Sequence, residues 1–233
     1  MLPPIDSSQV VSVRQSIESV LLSVDDDPAT QSFTDYNLVC DAVMTASQIK
    51  LDIDNPFANA MPGDHYRLLA GLLRALRPKK IVDIGTHYGT GTRVMLDYAP
   101  LAKVDTFDLL AWDSFETTYL TESDFEGSGG RLTQHLVDLS DPEVFVDYAQ
   151  MLADADFIMI DGPKDEVFEA KFYNMLQHLN YEQKNRWFFI DDIRFKSELL
   201  NWRRIINPKI DLTSFGHFSG TGLVDVSEGF KLA

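Results

Sequence analysis

The chain has 233 residues and a formal charge of −16, a length that suits one domain of ordinary size with a substantial core. Such an acidic balance opposes phosphate backbones and anionic membrane surfaces, so neither nucleic acid nor membrane is an expected partner. A hydrophobic content of 45% excludes a disordered tail as the main body.

The first segment, MLPPIDSSQV, has no basic region followed by an apolar stretch and does not read as a signal peptide. No apolar run approaches the roughly 18–20 residues that cross a bilayer. The lone Cys40 allows no internal disulfide, which fits a cytoplasmic location. Val10, Val13, Ile17, Val20, Leu21 and Val24 recur at helical spacing, and Val39, Ala42, Val43, Ala46 and Ile49 give a second stripe. Pro56, Pro62 and Gly63 break the chain, after which Asp64 is expected to cap a third helix with Tyr66, Leu69, Leu72, Leu73 and Leu76 on one face. Residues 1–63 are thus expected to be a helical N-terminal extension, and the apolar faces of its first two helices allow a homodimer.

From Lys79 the pattern changes to short apolar runs separated by helical segments. The runs are 81–84, 103–109, 131–137, 156–161 and 186–192. Near-continuous apolar strands alternating with helices predict an α/β domain with a doubly wound, mostly parallel sheet covered on both faces. The segment KIDLTSFGHFSGTGLVDVS reads as two more strands joined by a glycine-rich turn, an antiparallel C-terminal edge pair. That domain spans 64–230, and Lys231-Leu232-Ala233 looks like vector-derived sequence.

Ligands of such sheets sit at the carboxyl ends of the strands, near the switch in strand order. There the chain reads IVDIGTHYGTGT, with Gly85, Gly89 and Gly91 just before a predicted helix. Glycine lets the backbone adopt positive φ and lets a ligand approach without a Cβ between them. The dinucleotide fingerprint needs glycines at 0, +2 and +5, whereas these fall at 0, +4 and +6. A P-loop needs lysine after its last glycine, and Thr92 stands there. An adenosine-like ligand without a pyrophosphate fits better. Asp108, ending the second strand, is placed to accept from ribose hydroxyls. Asp138 follows the third strand, where it can meet a purine edge, and Asp83 can face a ligand ammonium.

On these residues the chain resembles the class I S-adenosylmethionine-dependent methyltransferases. DIGTHYGTG is similar to their first motif, and TFD and VDLSD stand where later cofactor-binding motifs are expected. The resemblance covers residues 64–226 and implies a Rossmann-like methyltransferase sheet. It also implies that Thr86, His87 and Leu109 join Asp83, Gly85, Gly89, Gly91, Asp108 and Asp138 around S-adenosylmethionine.

Two further strand ends carry acids: Asp161, with Lys164 three residues on, and the pair Asp191-Asp192. Three carboxylates converging on one crevice repel unless a cation or protons neutralise them. Oxygen-only donors suit Mg²⁺. The alternative is structural: Asp191 and Asp192 capping a helix, Asp161 anchoring a turn. The combination resembles the catechol and caffeoyl-coenzyme A O-methyltransferase group. That resemblance implies Asp161, Asp191 and Asp192 as metal ligands and Lys164 as catalytic base, with Asp161 beside it. It departs at Asp192, where the group has asparagine.

The expected function is an S-adenosylmethionine-dependent O-methyltransferase, Mg²⁺-assisted, acting on a hydroxyl of a small molecule. Two alternatives stay open: a metal-independent methyltransferase of sugar or antibiotic intermediates, and a non-catalytic cofactor-binding interaction module. Trp112 is a candidate to stack on adenine, and His135 and His217 show no sequence spacing of a zinc site.

Overall fold

A computed structural model describes Arg14, Ile17, Leu21 and residues 28–55, 58–61, 63–126 and 130–233. The stripe from Val10 to Val24 therefore lies outside the described residues, apart from Ile17 and Leu21, which are buried in the core. Pro56 and Pro62 also lie outside them, as do residues 127–129.

The chain order is α1 (Pro28–Gln31), α2 (Tyr36–Gln48), α3 (Tyr66–Leu76), β1 (Lys80–Ile84), α4 (Thr90–Tyr98), β2 (Lys103–Asp108), α5 (Glu122–Glu126) and β3 (Leu132–Leu136). It continues with α6 (Pro142–Asp154), β4 (Phe157–Ile160), α7 (Phe168–Leu176), β5 (Trp187–Asp191), α8 (Lys196–Arg204), β6 (Lys209–Asp211) and β7 (Thr221–Asp225). Each expected strand forms; β1 begins one residue earlier than expected, and β2 to β5 lose one residue at one or both ends.

The seven strands pair in the order β3-β2-β1-β4-β5-β7-β6. β1 to β5 are parallel, and β7 runs antiparallel between β5 and β6. This is the expected doubly wound sheet with its antiparallel edge pair. Alternation along the strands supplies both faces. Ile81, Phe157, Met159 and Phe189 enter one apolar core, shared with Val39, Leu69 and Leu72 of α2 and α3. Val82, Ile84, Ile158, Ile160 and Ile190 enter the other, with Leu152 of α6 and Phe172 of α7. Among the described residues, no helix is long and apolar enough to cross a membrane.

Three local features bear on the sequence reading. Asp64 does not cap α3: the helix begins at Tyr66, and the Asp64 carboxylate accepts from the His65 N–H at 2.9 Å. The apolar stripe of α2 is not available to a second copy, because Val39, Ala42 and Ala46 are buried in this chain. Lys231-Leu232-Ala233 is tied into the fold. The Lys231 N–H donates to Asn207, its carbonyl accepts from Ile206, and the Ala233 N–H donates to Arg204.

Strand order reverses between β1 and β4, so a crevice opens at their carboxyl ends. The connection from β6 to β7 folds back over that edge. Asp192 N–H donates to the Gly220 carbonyl at 2.8 Å, and Gly63 N–H donates to the Gly216 carbonyl at 3.2 Å. These bonds bring the start of α3 and the β6–β7 connection to the end of β5.

Candidate active site

A cavity of about 600 Å³ opens at the ends of β1, β2 and β4. Of the residues expected around a cofactor, Gly85, His87, Asp108, Leu109 and Asp138 line it; Asp161 lines it too. Gly85 has φ +104, and a Cβ there would stand 2.1 Å from the Asp161 carbonyl oxygen. Its glycine is therefore needed for β1 and β4 to approach at their ends, whatever is bound. Gly89 (φ +79) starts α4, where a Cβ would run into Leu120. Gly91 is different: a Cβ there would make only ordinary contacts, with the Met159 side chain from 3.4 Å and with Asp83 Oδ1 at 3.9 Å.

Asp108 organises the rim. It accepts from the His87 N–H at 2.8 Å and the Leu110 N–H at 3.0 Å, holding both loops against the opening. His87 pays for this with φ +44. Leu109 and Leu110 remain 68% and 54% exposed, so an inserted ring system would remove apolar surface from water. Asp138 accepts from the Ser140 N–H at 2.8 Å, which anchors its turn while it borders the cavity.

Asp83 and Thr86 lie beneath the cavity wall, in a hydroxyl network. Thr92 and Thr106 donate to Asp83 Oδ2 at 2.5 and 3.0 Å, and Thr86 bonds Thr106 at 2.7 Å. The other oxygen, Asp83 Oδ1, has no partner. Burial drives the carboxyl up to about 7, against the two hydroxyl bonds. Trp112 does not line the cavity; it stacks on Phe125, with ring centroids 5.2 Å apart.

Next to Asp161 lies a second, polar region. Lys164 Nζ is 3.1 Å from Asp161 Oδ1 and 3.9 Å from Asp192 Oδ2. Asp191 faces two imidazoles: His65 Nδ1 at 3.2 Å from Oδ1 and His217 Nδ1 at 3.4 Å from Oδ2. His65 Nδ1 is also 3.2 Å from Asp64, and His217 Nδ1 is 3.4 Å from Asp192 and 2.8 Å from Ser219 Oγ. Ser219 Oγ donates to Asp192. His65, His217 and Asp64 were not among the expected site residues. Histidine–carboxylate spacing along the chain does not reveal them, because the contacts form between separate elements.

The electrostatics are mutual. Burial depresses His65, but Asp191 and Asp64 overcome it and raise the ring to about 9. Hydrogen bonding to Asp191 and Asp192 lifts His217 to about 10. Burial opposes ionisation of Asp191, yet His65, His217 and Lys164 hold it well below the usual carboxylate range. Lys164 differs from the expectation for a base. Burial lowers it, but Asp161, Asp191 and Asp192 outweigh that and keep the ammonium above the usual lysine range. Lys164 (φ +55) and Asp192 (φ +60) join His87 among the five non-glycine residues with positive φ in the described chain. Three of these five strained residues border one crevice, the distribution expected of a functional site.

The residues can hold a divalent ion. His65 is 2% exposed, yet both ring nitrogens lack a hydrogen-bond partner, as does Asp191 Oδ1. Donor atoms within 4.8 Å of one another form three overlapping groups: Asp64-His65-His217, His65-Asp161-Asp191 and Asp191-Asp192-His217. The expected trio of Asp161, Asp191 and Asp192 is divided between the last two.

No family model matches the chain, and no curated protein matches it. Solved structures do. The SAH-bound Podospora anserina methyltransferase PaMTH1 is 15% identical, with 97% of this chain and 98% of that one covered at a TM-score of 0.47. The structure named cmcI-D160 Mg-SAM is 18% identical over 77% of this chain and 82% of its own, at 0.47. Cofactor-bound Rv0187 from MTB is 15% identical over 97% and 99%, at 0.46. Against cmcI-N160 SAH the chain spans 62% of that chain's length, with a TM-score of 0.38.

Proposed function

We propose that this protein is an S-adenosylmethionine-dependent O-methyltransferase acting on a hydroxyl of a small molecule, assisted by a divalent ion for which the carboxylates suit Mg²⁺. The observation that carries this reading is the position of Asp161. It forms part of the cavity wall and also belongs to the polar region containing Lys164, His65 and Asp191. A group held in the cavity thus has titratable side chains beside it.

The residues divide the work. Asp108 is the acceptor for ligand hydroxyls at the rim, and Leu109, Leu110, Val137 and Leu139 offer the apolar walls for a ring. Asp83 Oδ1 is an unfilled acceptor for an ammonium. S-adenosylmethionine, when bound, supplies a methyl on a positively charged sulfur, and a divalent ion would supply a Lewis acid that acidifies a coordinated hydroxyl. Asp161, which belongs to both the cavity wall and the polar region, would hold the proton given up by an acceptor hydroxyl. Lys164, protonated in this state, neutralises Asp161 and becomes a base only if a bound cation drives its proton off. Fixing the partners in line is worth on the order of 7–11 kcal/mol at best.

Calorimetry with S-adenosylhomocysteine tests the cofactor reading, and no binding at millimolar concentration refutes it. Turnover that persists in EDTA removes the ion. The metal-independent alternative has one observation in its favour: Lys164 already lies between Asp161 and Asp192 and compensates their charge.

A further inference from the structure

We propose that His65 and His217, with Asp191 between them, form a mixed nitrogen–oxygen site that takes a divalent ion able to bind imidazole, of the Mn²⁺, Fe²⁺ or Zn²⁺ class, in preference to Mg²⁺. This inference rests on the reading that a divalent ion works in the proposed active site, and it changes which ion that is.

Every group of close donor atoms found there contains a histidine. Imidazole suits Zn²⁺ and Fe²⁺, whereas Mg²⁺ is bound through oxygen. Donors that share an ion at about 2.1 Å lie no more than about 4.2 Å apart. Asp191 meets that spacing with each ring through a different oxygen, Oδ1 to His65 at 3.2 Å and Oδ2 to His217 at 3.4 Å, so an ion shared by all three needs both carboxylate oxygens; His65 meets it with Asp64 at 3.2 Å. Buried imidazole nitrogens are normally paired. Those of His65 make no well-formed hydrogen bond: Nδ1 has only charge contacts, at 3.2 Å, to Asp191 Oδ1 and Asp64, and Nε2 has no partner. An ion held between His65 and Asp191 satisfies one His65 nitrogen together with Asp191 Oδ1.

Lys164 does not compete for this position. Its ammonium lies against Asp161 and Asp192, whereas Asp191 is the carboxylate placed between the two rings. The fold also delivers the rings from outside the parallel sheet. His65 precedes α3 and His217 belongs to the β6–β7 connection, and a bridge between Gly63 and His217 ties the two segments. The sheet supplies the oxygens, and the flanking segments supply the nitrogens.

The test uses EDTA-treated full-length protein loaded with Mn²⁺ and examined by pulsed electron paramagnetic resonance. Nitrogen couplings from coordinated imidazole are expected in the wild type and reduced in His217→Gln, whose ring is partly exposed and whose loss the fold should tolerate. By calorimetry, Mn²⁺ and Zn²⁺ affinity should fall at least about 10–100-fold in His217→Gln, the loss seen when only an outer-shell partner is removed, and Mg²⁺ affinity should change little. His65→Gln should behave alike, with circular dichroism confirming that it is folded. Mn²⁺ binding without nitrogen coupling, or no Mn²⁺ binding at all, overturns the proposal and leaves an ion-pair cluster only. S-adenosylhomocysteine binding measured on the same samples separates the two readings: its absence sinks methyl transfer, while the nitrogen couplings decide the ion.

Discussion

The two halves of the crevice are finished to different degrees. At the ends of β2 and β3, Asp108 and Asp138 already accept backbone N–H groups, and the wall around them is mostly apolar. At the ends of β4 and β5, buried nitrogens and an oxygen have no partner, and charges of both signs are crowded within 4 Å. A wall completed by its own backbone can receive a ligand without reorganising. A cluster left with orphaned polar atoms is costly in isolation and becomes favourable once a ligand completes it. Under the proposed function, the contrast gives binding to one half and chemistry to the other.

Replacing Asp191 by Asn attacks the second half at its centre and carries the largest expected effect. It removes the charge both imidazoles face. Turnover should fall about 10³-fold, as expected for losing several kcal/mol of charge stabilisation. Affinity for S-adenosylhomocysteine should stay within about threefold, because Asp191 does not line the cavity. An equal loss of both erases the division between the halves.

Asp83→Asn probes the floor through pH. The native carboxyl titrates near 7 rather than 3.8, so between those values the folded chain holds a proton that the unfolded chain has lost. Stability due to this group is therefore greatest below about 4 and declines as pH rises to 7. Above 7 the full penalty applies, on the order of 4 kcal/mol. Melting curves should show the variant several degrees more stable than the wild type at pH 8 and nearly equal at pH 4. The same gain at both pH values would mean that ionisation of Asp83 is not what the fold resists.

Truncation of Asp108 to Ala tests the first half. Two charge-assisted bonds to backbone N–H and one ligand acceptor disappear together. Calorimetry should show S-adenosylhomocysteine about 10–100-fold weaker, in line with 1.5–3 kcal/mol for hydrogen bonds to a charged group. Little change in turnover at saturating cofactor would confirm that this half only binds.

The first half was also the more legible in sequence. Apolar runs end where strands end, so Asp108, Asp138 and the glycine turn could be placed by counting along the chain. The edge pair β6–β7 was legible for the same reason. The second half is assembled from elements remote in sequence, and its histidines gave no periodic signal. His217 was set aside because no metal-binding neighbour stands near it in the chain; folding gives it Asp191, Asp192 and Ser219. Lys164 shows the same limit. Its neighbour Asp161 was visible at three residues' distance, but the approach of Asp191 and Asp192, which keeps it protonated, was not. Trp112 was placed by its position after β2 alone; the structure stacks it on Phe125, away from the cavity lining.

Gly91→Ala is the finest of these tests, because the glycines of the turn are not equivalent. Gly85 and Gly89 are held by positive φ and by clashes within the protein, so their substitution damages the fold and says nothing about a ligand. Gly91 carries neither constraint: an added methyl would touch Met159 at ordinary contact distance and stand 3.9 Å from the unpartnered Asp83 Oδ1. Within α4 the change from Gly to Ala favours the helix by up to about 1 kcal/mol, which should raise the melting temperature by about 2–4 °C. If a ligand ammonium reaches Asp83 across this position, the methyl stands in its path, and S-adenosylhomocysteine should bind several-fold more weakly to a protein that is more stable. Stability and affinity moving in opposite directions would separate a binding glycine from a folding one. A stabilised variant with unchanged affinity would place Asp83 wholly within the fold and move the ligand's charged end elsewhere.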